Sequence, residues 1–210
     1  MASEKGLRYY LGKLWFLLWK DDSLKGWIFS LIVLFIFIKL IFFPVLSLAT
    51  GTSLPLAIVE SCSMYHNGGI FADFTSWWAR HDSKYSALEI NKTEFSTFLL
   101  KNGFNKGDIL FIVHADPSKL KVGDIIIFNV AGQATPIIHR IINITYSNGQ
   151  ETFSTEGDNN NGQLSFENGI QGSQIVGKAV FKLAPYLGWV KLVFYDWQNP
   201  PGERGFCHEN

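Results

Sequence analysis

The sequence predicts a mainly β protein: an antiparallel β domain with a small helical insertion, preceded by one N-terminal transmembrane helix. Three observations carry that reading. An unbroken apolar run lies near the N-terminus, from Trp27 to Ala49. Short β-branched and aromatic runs separated by turn residues fill the second half of the chain. Between Gly68 and Lys106 lies a stretch of different texture, with Trp77-Trp78 and a Thr93–Lys101 segment ended by Asn102-Gly103, which predicts one or two short helices.

The apolar run, WIFSLIVLFIFIKLIFFPVLSLA, contains a single charge, Lys39. As a helix it reaches about 35 Å, more than the roughly 30 Å of a bilayer's hydrocarbon core. A central lysine costs roughly 2.5–3.5 kcal/mol, and the surrounding Leu, Ile, Phe and Val residues outweigh it at about 0.3–0.6 kcal/mol each. A buried core helix would need a polar face, which this run lacks. Ser47-Leu48-Ala49 has the small-x-small form of a signal-peptide cleavage site. The apolar stretch is nevertheless longer than a signal peptide's, and 26 residues precede it. Lys5, Arg8, Lys13, Lys20 and Lys25 come before the run, and no Lys or Arg follows until Arg80. The positive-inside rule therefore puts the N-terminus in the cytoplasm and the rest outside, with one pass through the cell membrane. Residues 1–26 form a cytoplasmic or interfacial segment, in which Lys13–Lys20 has the composition of an interfacial stretch.

Residues 50–198 make the β-rich domain. Its expected strands are Ile109–Val113, Asp124–Val130, Pro136–Tyr146, Thr152–Thr155 and Gln174–Phe181, separated by turns such as Gly107-Asp108, Gly123-Asp124 and Asn148-Gly149. The helical insertion occupies about 68–106, and residues 199–210 read as a flexible tail. Asn91-Lys92-Thr93 and Asn143-Ile144-Thr145 fit the glycosylation sequon.

Composition excludes several functions. Lys+Arg and Asp+Glu both number 18, so the protein lacks the basic footprint of a nucleic-acid binder. Two cysteines, Cys62 and Cys207, cannot form a disulfide framework or a four-thiolate zinc site. The histidines, at 66, 81, 114, 139 and 208, include no i,i+4 pair of the zincin type. No metal or cofactor is expected.

Three patterns can do chemistry. Ser61-Cys62-Ser63-Met64 follows an extended segment, Ala57–Glu60, and alternation points both serines to one side. One can then attack while the other donates to an oxyanion. His139 sits among isoleucines on an expected strand, as a structural imidazole or a rigidly held base. Glu156-Gly157-Asp158-Asn159-Asn160 is a polar turn whose aspartate can orient an imidazole. Each alone reads more readily as structure, but together they supply nucleophile, base and orienter in one β domain.

With these residues in order, the sequence resembles the type I signal peptidases, in their archaeal and endoplasmic-reticulum branch. The resemblance covers the anchor, Ser61–Met64, Val122–Phe128, Ile138–Ile141, Glu156–Asn160 and Gln174–Lys178, and continues into Ala184–Lys191. It implies a signal-peptidase-like antiparallel β catalytic domain resting on the membrane surface. By position, Ser63 becomes the nucleophile, Ser61 an oxyanion donor with the Ser63 N–H, and His139 the base where bacterial relatives carry lysine. Met64 falls on the oxyanion and substrate-binding side. Many archaeal members carry a second aspartate six residues after the Gly-Asp one. Here that position is Leu164, and the next carboxylate is Glu167. Asp158 is the favoured third member and Glu167 its rival.

The implied activity is a membrane-anchored serine endopeptidase that acts through an acyl-enzyme. Its substrates would be secretory preproteins, cut after small residues at −3 and −1, and its other partners membrane lipid and export machinery, with no nucleic acid. The alternative is a non-catalytic, membrane-tethered β module serving an export complex as an accessory subunit.

Overall fold

The computed structural model describes residues 2–208 apart from 69, 70, 72 and 148, so the turn expected at Asn148-Gly149 lies partly outside the described residues. The protein divides into two compact units, Met1–Ala49 and Thr50–Asn210.

The first unit is helical. α1 spans Ala2–Trp19, and a short turn leads to α2, Leu24–Phe37. Ser23 caps α2, its hydroxyl accepting from the Gly26 N–H at 3.2 Å. A π turn at Ile38–Phe42 and α3, Phe43–Thr50, continue the same helix. The π turn has a local cause. Pro44 lacks an N–H and its ring crowds the carbonyl four residues back, so the ladder widens and the Phe43 N–H reaches Ile38 O. Leu24–Thr50 makes 27 helical residues, long and apolar enough to cross a membrane, with exposed apolar side chains along its length. The apolar helix begins three residues before the expected boundary because Ser23 provides the cap there.

The second unit is a seven-stranded antiparallel sheet in the order β1-β2-β7-β3-β4-β5-β6. The strands are β1 Leu56–Ile58, β2 Ile109–Val113, β3 Ile125–Phe128, β4 Ile137–Ser147, β5 Gln150–Glu156, β6 Ile170–Gln171 and β7 Ile175–Ala184. All five expected strands are present. β1 and β6 are additions, of three and two residues, too short to show an alternating pattern.

β3 explains how the core is divided. All four of its side chains are buried. Ile125 and Ile127 join Leu110, Ile112 and Phe104 on one face, while Ile126 and Phe128 join Ile141, Phe153 and Ile170 on the other. A strand covered on both faces reads as an apolar run instead of an alternating one.

The insertion is helical, as expected. α4 spans Phe74–Ser86, capped by Asp73, which accepts from the Thr75 and Ser76 N–H groups. α5 is shorter than the Thr93–Lys101 stretch suggests, covering Lys92–Phe95. Together they build a third, aromatic core of Trp77, Trp78, Tyr85 and Phe95.

The tail departs from expectation. Among the described residues, Pro201–Glu203 form a 3-10 turn, and Cys207 is bridged to Cys62. Lys106, almost fully buried, binds Asp196 and donates to Glu203 O at 2.6 Å. A bridge closing a loop of 145 residues removes much conformational entropy from the unfolded state, worth about 4–5 kcal/mol in the entropic account. The composition of the tail gave no sign of these anchors, because both act across more than ninety residues of sequence.

Candidate active site

The site lies wholly within the second unit. The loop that follows β1 carries Ser61, Cys62 and Ser63, and three successive carbonyls in it are held from outside. Cys62 O accepts from the Asn159 side-chain amide at 3.1 Å, Ser63 O from the Asn159 backbone N–H at 2.8 Å, and Met64 O from the Phe104 N–H at 3.0 Å. The two serine hydroxyls lie 3.1 Å apart, brought to one side by the bend and turn at 61–64 and not by the extended alternation the sequence suggests. Gly157 packs directly beneath: a Cβ there would meet Ser63 O at 2.7 Å. The turn Glu156–Asn160 is thus the bed on which Ser63 rests. Lys84 of α4 fixes that bed in turn, donating to the carbonyls of Gly157 and Asn160 at 2.9 and 2.7 Å and pairing with Glu156 at 2.8 Å.

β4 supplies the imidazole. Adjacent strand residues point to opposite faces, so His139 and Arg140 address different surroundings. On one side, the His139 Nδ1 is hydrogen-bonded to Glu167 Oε1. Glu167 is fully buried, and it also accepts from the Thr155 hydroxyl at 3.2 Å and the Leu164 N–H at 2.6 Å. The 3-10 turn Ser165–Glu167 swings the longer glutamate side chain back toward the sheet.

On the other side, Arg140 is buried under the rings of Phe95 and Phe98 and binds Asp158 through Nε at 2.9 Å and Nη2 at 2.7 Å. Its remaining N–H groups reach the carbonyls of Leu99, Leu100 and Gly123 at 3.0–3.2 Å, so all five donors are used. Asp158 accepts two further bonds, from the Tyr85 hydroxyl at 2.8 Å and His66 Nε2 at 2.9 Å. A carboxylate has about four acceptor sites, and these donors fill them.

The expected contact of Asp158 with His139 is therefore absent, and Glu167 holds that position. Asp158 belongs to a closed buried network on the Arg140 face. Burial by itself would raise the Asp158 carboxyl, but the Arg140 charge and its hydrogen bonds, with His66, hold it far below the usual carboxylate range. Burial also holds the His66 imidazole below its ordinary value despite the Asp158 bond, which leaves it neutral, with Nε2–H as donor. Burial, reinforced by the Asp158 charge, pushes the Tyr85 hydroxyl well up.

Met64 also sits elsewhere than expected. It is 1% exposed, packs with Val59, Phe104 and Leu110, and accepts from the Asp158 N–H at its sulfur. It anchors the loop from inside the core and lines neither cleft at the site.

Two clefts meet at Ser61, Ser63 and His139. One, of about 340 Å³, is apolar and runs between β1 and the start of β4, past Ala57, Ile58, Val59 and Ile138. The other, of about 680 Å³, is more polar and continues between Asn160–Leu164 and the C-terminal segment. A hydroxyl pair and a carboxylate-held imidazole that line the same two clefts are equipment suited to acyl transfer through serine.

No protein-family model matches the sequence. Among curated proteins, the signal peptidase complex catalytic subunit of Homo sapiens is 32% identical over 104 residues, 47% of this chain and 54% of that protein. The Mus musculus subunit matches to the same extent. That of Clavispora lusitaniae is 36% identical over 61 residues, 29% of this chain and 36% of its own. Its relatives are signal peptidase catalytic subunits. The chain spans about half the length of the curated relatives it matches first. The relatives are peptidase subunits by name, which accords with the equipment of the cleft.

Sequence reasoning missed the partners of Asp158. Arg140 directly follows His139, and His66, Tyr85 and Lys84 come from the insertion and its flank. A buried arginine beside a Gly-Asp turn has no local signature, since the pairing needs the strand and the insertion folded together.

Proposed function

We propose that the protein is a membrane-anchored serine endopeptidase that removes signal peptides from secretory preproteins. The observation that carries this reading is the buried bond between His139 and Glu167 at the edge of a cleft lined by Ser61 and Ser63. Ser63 Oγ attacks the scissile carbonyl and passes its proton to His139 Nε2. Nδ1–H stays on the Glu167 carboxylate, which fixes the tautomer and stabilises the imidazolium. The Ser63 N–H and the Ser61 hydroxyl donate to the developing oxyanion. His139 then protonates the departing amine, and water releases the acyl-enzyme by the same route.

Substrate selection follows from the apolar groove. β1 ends the strand order, so an extended peptide can lie along its open edge as an added strand. Ile58, Phe104 and Ile138 crowd the groove, which favours small side chains at −1 and −3. The basic N-terminal flank and the Cys62–Cys207 bridge both support a cytoplasmic N-terminus with Thr50–Asn210 on the oxidising side, where preproteins emerge. Partner subunits of a signal peptidase complex are proposed by analogy with the relatives. The test is cleavage of a purified preprotein in lipid or detergent. The wild type should release the signal peptide, and Ser63→Ala should not. Equal activity of the two would exclude Ser63 as nucleophile.

A further inference from the structure

The C-terminal segment Pro201–His208 forms one wall of the second cleft, through Gly202, Arg204, Phe206 and His208, opposite Asn160–Leu164. It is fastened at several points. Cys207 is bridged to Cys62, directly beside Ser63. His208 O accepts from the Asn159 side-chain amide at 3.1 Å, and the Gly205 N–H donates to Asp196 at 2.8 Å. The Phe206 ring, largely exposed, rests 5.1 Å from Trp189. The segment is mostly exposed, yet these bonds fix its backbone along the cleft beside the Ser63 loop.

The two clefts share Ser61, Ser63 and His139, so a peptide with its scissile carbonyl over Ser63 extends into both. The apolar groove suits the acyl side of an apolar signal sequence. The residues on the amine side of the scissile bond then run along the segment beyond Cys62. We propose that Pro201–His208 is a strap that binds the leaving-group side of the substrate, held in register with Ser63 by the Cys62–Cys207 bridge. Its ligand is an extended polypeptide, and the inference rests on the peptidase reading. The strap makes efficient cleavage depend on the presence of several residues beyond the scissile bond.

The experiment compares a long peptide that continues well past the scissile bond with a short ester that ends there. In Cys207→Ser, kcat/KM on the long peptide should fall about tenfold, equivalent to about 1.4 kcal/mol, while the ester is cleaved as by wild type. Phe206→Ala keeps the bridge and removes the contact with Trp189. It should produce the same selective loss, to a smaller extent, and it decides the matter if Cys207→Ser fails to fold. Equal losses on both substrates would mean that the bridge only supports the nucleophile, and no loss on either would mean that the strap is idle. Either result overturns the proposal. Binding gives a readout independent of turnover: in Ser63→Ala, the long peptide should protect the Arg204–Gly205 bond from trypsin and a peptide truncated at the scissile bond should not. Protection by the long peptide with a catalytically silent wild type would support the strap while removing the peptidase reading. Equal digestion with both peptides would overturn the strap alone.

Discussion

Glu167 and Asp158 are both buried carboxylates beside β4, and the direction of one strand residue decides which of them meets the imidazole. The two respond differently to the same isosteric change. Glu167→Gln keeps the bond from the Leu164 N–H but removes the charge that stabilises an imidazolium. In a serine triad such a loss costs about 10⁴-fold, so a drop of at least about 10²-fold in single-turnover rate is expected, with the fold intact. Asp158→Asn leaves Arg140 buried with an uncompensated charge, and breaking such a pair costs about 3–5 kcal/mol. Its effect should appear in denaturant unfolding. A crippled but fully stable Asp158→Asn together with an active Glu167→Gln would reverse the assignment. The same network sets acid sensitivity. Asp158 lies below its unfolded carboxyl value, so its contribution is complete above about pH 4 and is lost as pH falls further. His66 lies below its unfolded value too. The unfolded state therefore takes up the proton first, and stability already declines as pH drops below about 6.5. Unfolding free energy measured from pH 8 to 3 should decrease monotonically. His66→Gln should flatten the upper part of that curve, and a curve unchanged by the substitution would contradict the buried neutral imidazole.

At the scale of elements, the turn Glu156–Asn160 and helix α4 act together on the nucleophile loop. Gly157→Ala forces a Cβ to within 2.7 Å of Ser63 O, so either the turn or the serine must move. A displacement near 1 Å at a reacting group costs about 10²-fold, and that is the loss expected in kcat, with a smaller change in melting temperature. Lys84→Met keeps the length of the stem but removes the bonds to Gly157 O and Asn160 O. It should destabilise by about 1–3 kcal/mol and lower the rate through the same turn. Hydrogen exchange at the Asn159 N–H reads that coupling directly, since this amide binds Ser63 O. Normal protection there in Lys84→Met would show that the insertion does not support the site. The aromatic core of α4 and α5 has a second task, as cover for the Arg140–Asp158 pair.

For the whole molecule, the prediction is topological. Protease added outside intact cells should digest Thr50–Asn210 and spare the basic N-terminal flank, read by tags at either end. The reverse pattern would invert the proposed orientation. Electrophoresis without reductant should show a faster-migrating species that Cys62→Ala abolishes. Identical mobility with and without reductant would remove the bridge, and with it one support for the oxidising side.

The sequence alone determined the features that depend on near neighbours. The apolar run Trp27–Ala49 is a matter of length and apolarity, and the five longer strands follow from β-branched runs between turns. Those properties are fixed within a few residues, so periodicity reports them. The tertiary structure decided the features that depend on contacts between distant segments. β1 and β6 exist only because β2 and β5 offer an edge to pair with. Cys207 finds Cys62 across 145 residues of sequence. The choice of Glu167 over Asp158 turned on Arg140, which with Tyr85 and His66 fills the acceptor sites of the aspartate on the opposite face of β4 and leaves the imidazole to the carboxylate that a single 3-10 turn brings back to the sheet. Composition cannot register that competition, because it is settled by which donors the folded chain brings around a buried carboxylate of limited capacity.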